Sequence, residues 1–171
     1  EAELILSAGL EQFIKITGRK PNAYRAGSFR WNQYTIEFLA KNKIPYSFNA
    51  CRETAVKSNY DTFIPTNPKP FNWPQGVREV PCGEVDINGE TIHFRFPRRF
   101  HGDITPAGLA QRVAGETGGL VNILLHSWSL LERDKETGYY YYKSDARVAF
   151  LRGVLRDAFS SSSVSSRGCV Y

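Results

Sequence analysis

Residues 22 to 50 read N-A-Y-R-A-G-S-F-R-W-N-Q-Y-T-I-E-F-L-A-K-N-K-I-P-Y-S-F-N-A. The first six residues form a short strand that stops at Gly27. Asn32 is a helix N-cap, and Ile36, Leu39 and Ala40 share one face of a helix running to about Asn42. I-P-Y-S-F-N-A then reads as a second strand. A strand, a helix and a strand in so short a span form a βαβ unit, whose two strands run parallel.

The pattern continues on both sides. Before it, Leu6, Leu10, Phe13 and Ile14 recur at helical spacing over residues 2 to 17, and Gly18 is the C-cap. After it, residues 57 to 76 hold four of the nine prolines and form a long excursion. V-R-E-V-P at 77 to 81 is a strand. V-D-I-N-G-E-T-I-H-F at 85 to 94 is a hairpin with a type I′ turn at Asn88-Gly89, because both turn positions need positive φ. Thr105 and Pro106 open a helix to about Glu116, which Gly118 and Gly119 end. L-V-N-I-L-L-H is a mostly apolar strand, as expected where both faces are covered. Ser144 caps a last helix, 145 to 159, whose buried side is Val148, Phe150, Leu151, Val154, Leu155 and Phe159. Strands alternating with helices predict an α/β domain over 1–159 with a mainly parallel sheet. Residues 160–171, rich in Ser, are expected to be a disordered tail.

The chain of 171 residues carries a net charge of +5. Its densest basic patch is Arg95, Arg98 and Arg99, which reads as solvated surface, so no nucleic-acid partner is expected. No stretch approaches the length of a membrane span. Cys51, Cys82 and Cys169 lack metal-knuckle spacing, and their odd number argues for no disulfide framework. The compartment stays open between bacterial periplasm or cell envelope and cytoplasm. There is no Met, even at position 1, so the sequence is expected to start after a translation start.

Ligands of α/β folds sit beyond the carboxyl ends of strands. Arg25-Ala26-Gly27 and His126-Ser127-Trp128 both fall there. His126 could carry a proton near neutral pH or, equally, bond a backbone carbonyl. Trp128 could stack on a sugar face or pack in the core. Arg25 could grip a carboxylate, and Gly27 could turn the chain so that the Ser28 N–H faces a developing oxyanion.

Two segments together resemble a known family. R-A-G-S-F-R-W-N-Q-Y-T-I-E-F-L-A-K-N-K-I-P-Y-S-F-N, followed about 70 residues later by V-N-I-L-L-H-S-W-S-L-L, is similar to the polysaccharide deacetylase family, relatives of chitooligosaccharide deacetylases. The lead-in L-E-Q-F-I-K-I-T-G-R-K-P-N-A-Y-R-A-G and the strand G-V-R-E-V-P add to the likeness, which spans about residues 3 to 158. The resemblance implies a distorted, incomplete (β/α) barrel whose N-terminal strands are missing here. It implies hydrolysis of N- or O-acetyl groups on a carbohydrate such as a bacterial surface polysaccharide. It also implies a divalent metal, usually zinc, held by one Asp and two His.

By position, the resemblance makes His126 the acid that protonates the leaving group and Arg25 the residue that orients the catalytic base. It makes Ser28 the oxyanion residue and Trp128 a pocket wall, with Tyr24 and Phe29 at the substrate. Asn49 or Glu79 would tune His126. The family's T-F-D-D and H-x-x-x-H segments are absent, and His93 and His101 do not replace them. His93 reads as a face residue of the hairpin and His101 as surface. The metal ligands are therefore expected in a preceding segment, and that segment or another chain would complete the sheet. Two other readings are a metal-free carbohydrate-binding or regulatory module, and a C–N hydrolase acting on a small amide or ureide.

Overall fold

The computed structural model describes residues 1–52, 69–96, 105–126, 130–142 and 144–159. Among these residues the chain is a mixture of helices and small sheets rather than a closed barrel. The predicted βαβ unit is present. Strand β1 (Ala23–Tyr24), helix α2 (Gln33–Lys41) and strand β2 (Tyr46–Ser47) follow the opening helix α1 (Ala2–Thr17). Asn32 caps α2 as its sequence predicts: its Oδ1 accepts from the Thr35 N–H at 3.2 Å. Gly18 ends α1 in a left-handed conformation, φ 70°.

β1 runs parallel to β2, pairing Ala23 with Tyr46 and Tyr24 with Ser47. β2 runs parallel to β4 (Arg78–Glu79), pairing Ser47 with Glu79. The edge of this sheet is β3 (Phe71–Asn72), antiparallel to β4. Sequence reading placed residues 71 and 72 in an excursion, most of which lies outside the described residues. Ladder hydrogen bonds continue past the strand ends, from Val80 N to Ser47 O at 2.8 Å and from Cys82 N to Ala50 O at 2.7 Å. The segments following β2 and β4 therefore stay side by side as far as Cys82.

The Asn88-Gly89 hairpin forms as expected, from β5 (Glu84–Ile87) and β6 (Glu90–His93). Asn88 and Gly89 have φ 52° and 81°, as a type I′ turn requires. β7 (Arg95–Phe96) runs parallel to β8 (Leu124–Leu125), and Phe94 joins the two regions: its N–H donates to Gly83 O and its carbonyl accepts from Leu124 N, both at 2.9 Å. Helix α3 (Pro106–Thr117) starts on the predicted Thr105 cap, whose Oγ1 accepts from the Gly108 N–H at 3.0 Å. A hairpin that sequence reading did not foresee, β9 (Leu131–Arg133) with β10 (Tyr140–Tyr142), precedes helix α4 (Ser144–Phe159). The Ser-rich tail, His101 and Trp128 lie outside the described residues.

Two apolar clusters hold these elements. Ile36, Phe38, Leu39, Ile44 and Val77 pack α2 onto the parallel strands, with Leu6, Leu10 and Tyr24 against them. Val85, Ile87, Ile92, Phe94, Leu109, Ala110, Val113 and Val154 join the β5–β6 hairpin to α3 and α4. Each fully buried aliphatic or aromatic side chain here contributes roughly 1.5–3 kcal/mol by leaving water. Gly83 sits against the second cluster, at Val113. A Cβ there would lie 2.7 Å from Val113 Cγ1 and 3.0 Å from Asn122 O, so only glycine lets α3 and the segment before β8 approach the chain between β4 and β5 this closely.

Candidate functional site

Arg25 leaves the carboxyl end of β1. Its Nη2 donates to Asn122 Oδ1 at 3.0 Å, and Asn122 Nδ2 donates to Pro81 O at 3.2 Å. The guanidinium carbon lies 5.8 Å from the centre of the Phe29 ring and 5.7 Å from that of Phe48. Both distances are within the range of cation–π attraction. Among the described residues no carboxylate pairs with Arg25. A guanidinium has five N–H donors in a fixed fork, so this one keeps capacity for an anionic group.

The turn behind Arg25 is held from below. Ala26 N–H donates to Asn49 Oδ1 at 2.6 Å, and Asn49 Nδ2 donates to Ser47 Oγ at 2.9 Å. Glu79 braces Asn49 in turn: its Oε1 accepts the N–H groups of Asn49 and Ala50, each at 2.8 Å. Its Oε2 accepts Trp73 Nε1–H at 3.0 Å. Asn49 and Glu79 are both 0% exposed. Expected as partners of His126, they direct these bonds to each other, to Ala26, Ala50 and Ser47, and to Trp73. Buried polar groups are costly unless bonded, and this network satisfies them.

The chain then turns through a short 3-10 segment, Gly27–Phe29. Ser28 has φ 54° and Phe29 φ 53°, although neither is a glycine. Each such residue costs on the order of 1 kcal/mol, and such strain clusters at ligand and catalytic sites. Ser28 is exposed, and Phe29 lies half-buried beneath Arg25. Tyr24, expected at the substrate, packs half-buried against the α2 cluster, and that burial pushes its hydroxyl pKa up.

His126 is exposed and follows β8 directly, so the sequence places it correctly at a strand end. The residue of that segment in contact with Arg25 is Asn122, four positions earlier. At most about 3.3–3.6 Å of chain per residue separates the two positions, so His126 lies within about 14 Å of Asn122. Sequence reading missed Asn122. A polar residue inside the apolar run V-N-I-L-L was its signal, since a half-buried amide requires partners.

A second buried polar group lies beside this one. Glu84 Oε2 accepts the Arg52 N–H at 2.8 Å, and Glu84 Oε1 lies 3.6 Å from Cys51 Sγ. His93 is buried on β6, opposite Glu84 in the hairpin register. Among the described residues no group of three or more His, Cys, Asp or Glu side chains could hold a metal ion. The acids at the strand ends, Glu79 and Glu84, are already committed to backbone N–H groups. These side chains do not fit a zinc site.

No family model, no curated protein and no solved structure matches the chain. Among the described residues no helix is long and apolar enough to cross a membrane.

Proposed function

We propose that this chain is the later part of a polysaccharide deacetylase-like domain, in which Arg25 and His126 serve hydrolysis of N- or O-acetyl groups on a bacterial surface polysaccharide. The observation that supports this reading best is the Arg25 turn. A guanidinium without a carboxylate partner among the described residues stands at the end of a parallel strand, and two strained non-glycine residues, Ser28 and Phe29, follow three and four positions later. Arg25 would orient an anionic group, either the catalytic base or a charged substrate. The Ser28 N–H would face the oxyanion that forms as water adds to the acyl carbon. As the C–N or C–O bond breaks, exposed His126 would give its proton to the departing amine or alcohol. Trp128 and Phe29 would contact the sugar.

The family resemblance brings a divalent metal, zinc in most members. In this reading its ligands come from residues other than the described ones, in a segment or another chain that also completes the sheet.

The test is acetate release from an N-acetylated oligosaccharide by the protein together with the segment or chain that supplies the metal ligands, measured with and without added zinc. The reading expects release that falls at least 100-fold in both Arg25→Ala and His126→Ala while the fold persists. Unchanged release in both variants would overturn it. A metal-free carbohydrate-binding module would bind the oligosaccharide calorimetrically, release no acetate and ignore chelators.

A further inference from the structure

The proposed reaction leaves two nucleophilic side chains unused. Cys51 follows β2 and is 4% exposed, and Cys82 follows β4 and is 1% exposed. Both are thiols. The bond from Cys82 N to Ala50 O, 2.7 Å, keeps their segments adjacent. The Cys82 side chain is hydrogen-bonded to that of Cys51, whose sulfur lies 3.6 Å from Glu84 Oε1. Adjacent strands lie about 4.8 Å apart, which falls inside the Cα separation that a disulfide accepts. This pair is not legible in the sequence, because the two cysteines are 31 positions apart and meet only through the β2–β4 ladder.

We propose that Cys51 and Cys82 form a dithiol that closes to an intramolecular disulfide, a covalent clamp between the segments following β2 and β4. A small organic disulfide is the oxidant. One cysteine thiolate attacks it, an S–S bond forms and one small thiol leaves. The second cysteine thiolate then displaces the other small thiol and completes the Cys51–Cys82 bond. The protein loses two protons and two electrons, and the oxidant becomes two thiols. The hydrogen bond with Cys51, and then burial, raise the Cys82 pKa well above its ordinary value. The clamp therefore closes slowly at neutral pH and faster as pH rises. Asn122, which accepts from Arg25, donates to the carbonyl of Pro81, the residue before Cys82, so the clamp forms beside the proposed site.

The experiment uses the Cys169→Ser variant of the full chain, so that only this pair can react. The folded protein is incubated with excess oxidised glutathione, denatured and alkylated, and its mass is measured. The expected result is loss of both alkylatable thiols and of two hydrogens, with a linked Cys51–Cys82 peptide after digestion. Two thiols still alkylated, after incubation that fully oxidises a control dithiol peptide, would overturn the proposal. A stable mixed disulfide with glutathione, or a disulfide-linked dimer, would overturn it too. The same incubation of the Cys82→Ser, Cys169→Ser double variant is expected to yield no linked peptide.

Discussion

The turn after β1 and the end of β8 each carry a residue that the sequence marks for chemistry, yet one is half-buried and the other exposed. Arg25 rests on contacts from several distant parts of the chain: Asn122 on its guanidinium, Phe29 and Phe48 on its faces, and Asn49 and Glu79 beneath its turn. His126 stands exposed at the end of a two-residue strand. The difference teaches that a strand-end position says where a residue emerges, and not how far the fold buries it. A fixed residue suits orienting work, because its geometry is set before the ligand arrives. An exposed one suits proton exchange with substrate and water.

Four substitutions or conditions would break or sharpen this contrast. The largest effect is expected at Glu79. Glu79→Ala leaves the Asn49 and Ala50 N–H groups and the Trp73 indole without their acceptor. At about 1–3 kcal/mol for each orphaned buried donor, the loss should be roughly 3 kcal/mol or more in urea denaturation. A loss below about 1 kcal/mol would show that the Arg25 turn does not depend on this brace. Asn49→Ala removes a single acceptor, that of Ala26, and should cost about 1–3 kcal/mol. It should also weaken any oligosaccharide binding that requires the Ser28–Phe29 turn.

The pH dependence is smaller and has a definite sign. The Cys82 thiol has a raised folded-state pKa, so between its ordinary value of 9.0 and that higher value the folded chain holds a proton that the unfolded chain has lost. Its contribution is fully present below about pH 9 and is lost as pH rises toward the folded pKa. Thermal unfolding followed from pH 8 to pH 11 should show a decline that is shallower in Cys82→Ala. Identical slopes in the two proteins would contradict it. The smallest stability effect belongs to His126. His126→Ala should change unfolding free energy by no more than about 0.5 kcal/mol, as exposed positions do. A large loss there would mean that His126 is a structural residue and that the two strand ends are not so different.

Much of the fold was legible because its signals are local. Gly18, Asn32, Thr105-Pro106 and Asn88-Gly89 each act within a few residues, and the helices and the hairpin they imply formed with nearly the expected bounds. The pairing of β3 with β4 was not legible, since Phe71 and Asn72 sit in a proline-rich stretch that reads as loop. The β9–β10 hairpin was missed as well, because Tyr140–Tyr142 show no apolar alternation to reveal a strand. For the site, the sequence placed Arg25 and His126 at strand ends. It could not reveal that Arg25 meets Asn122, 97 positions away, or that Glu79 supports Asn49, 30 positions away. Such partners depend on which strands become neighbours, and one chain's residue order does not encode that in any short window.

The first helix carries a consequence of a different kind. No residue of α1 is fully buried, and Leu4, Ile5 and Ile16 face outward while Leu6 and Leu10 rest against the α2 cluster. Its ion pair to the neighbouring helix, Glu3 with Lys41 at 2.8 Å, is exposed at both ends and adds little. Helix α1 is therefore the element with least to lose by lifting away. Its amide hydrogens should exchange with deuterated solvent through a local opening, well before those of Ile36 to Leu39 in α2, so that the molecule loosens from its beginning while the parallel strands remain closed.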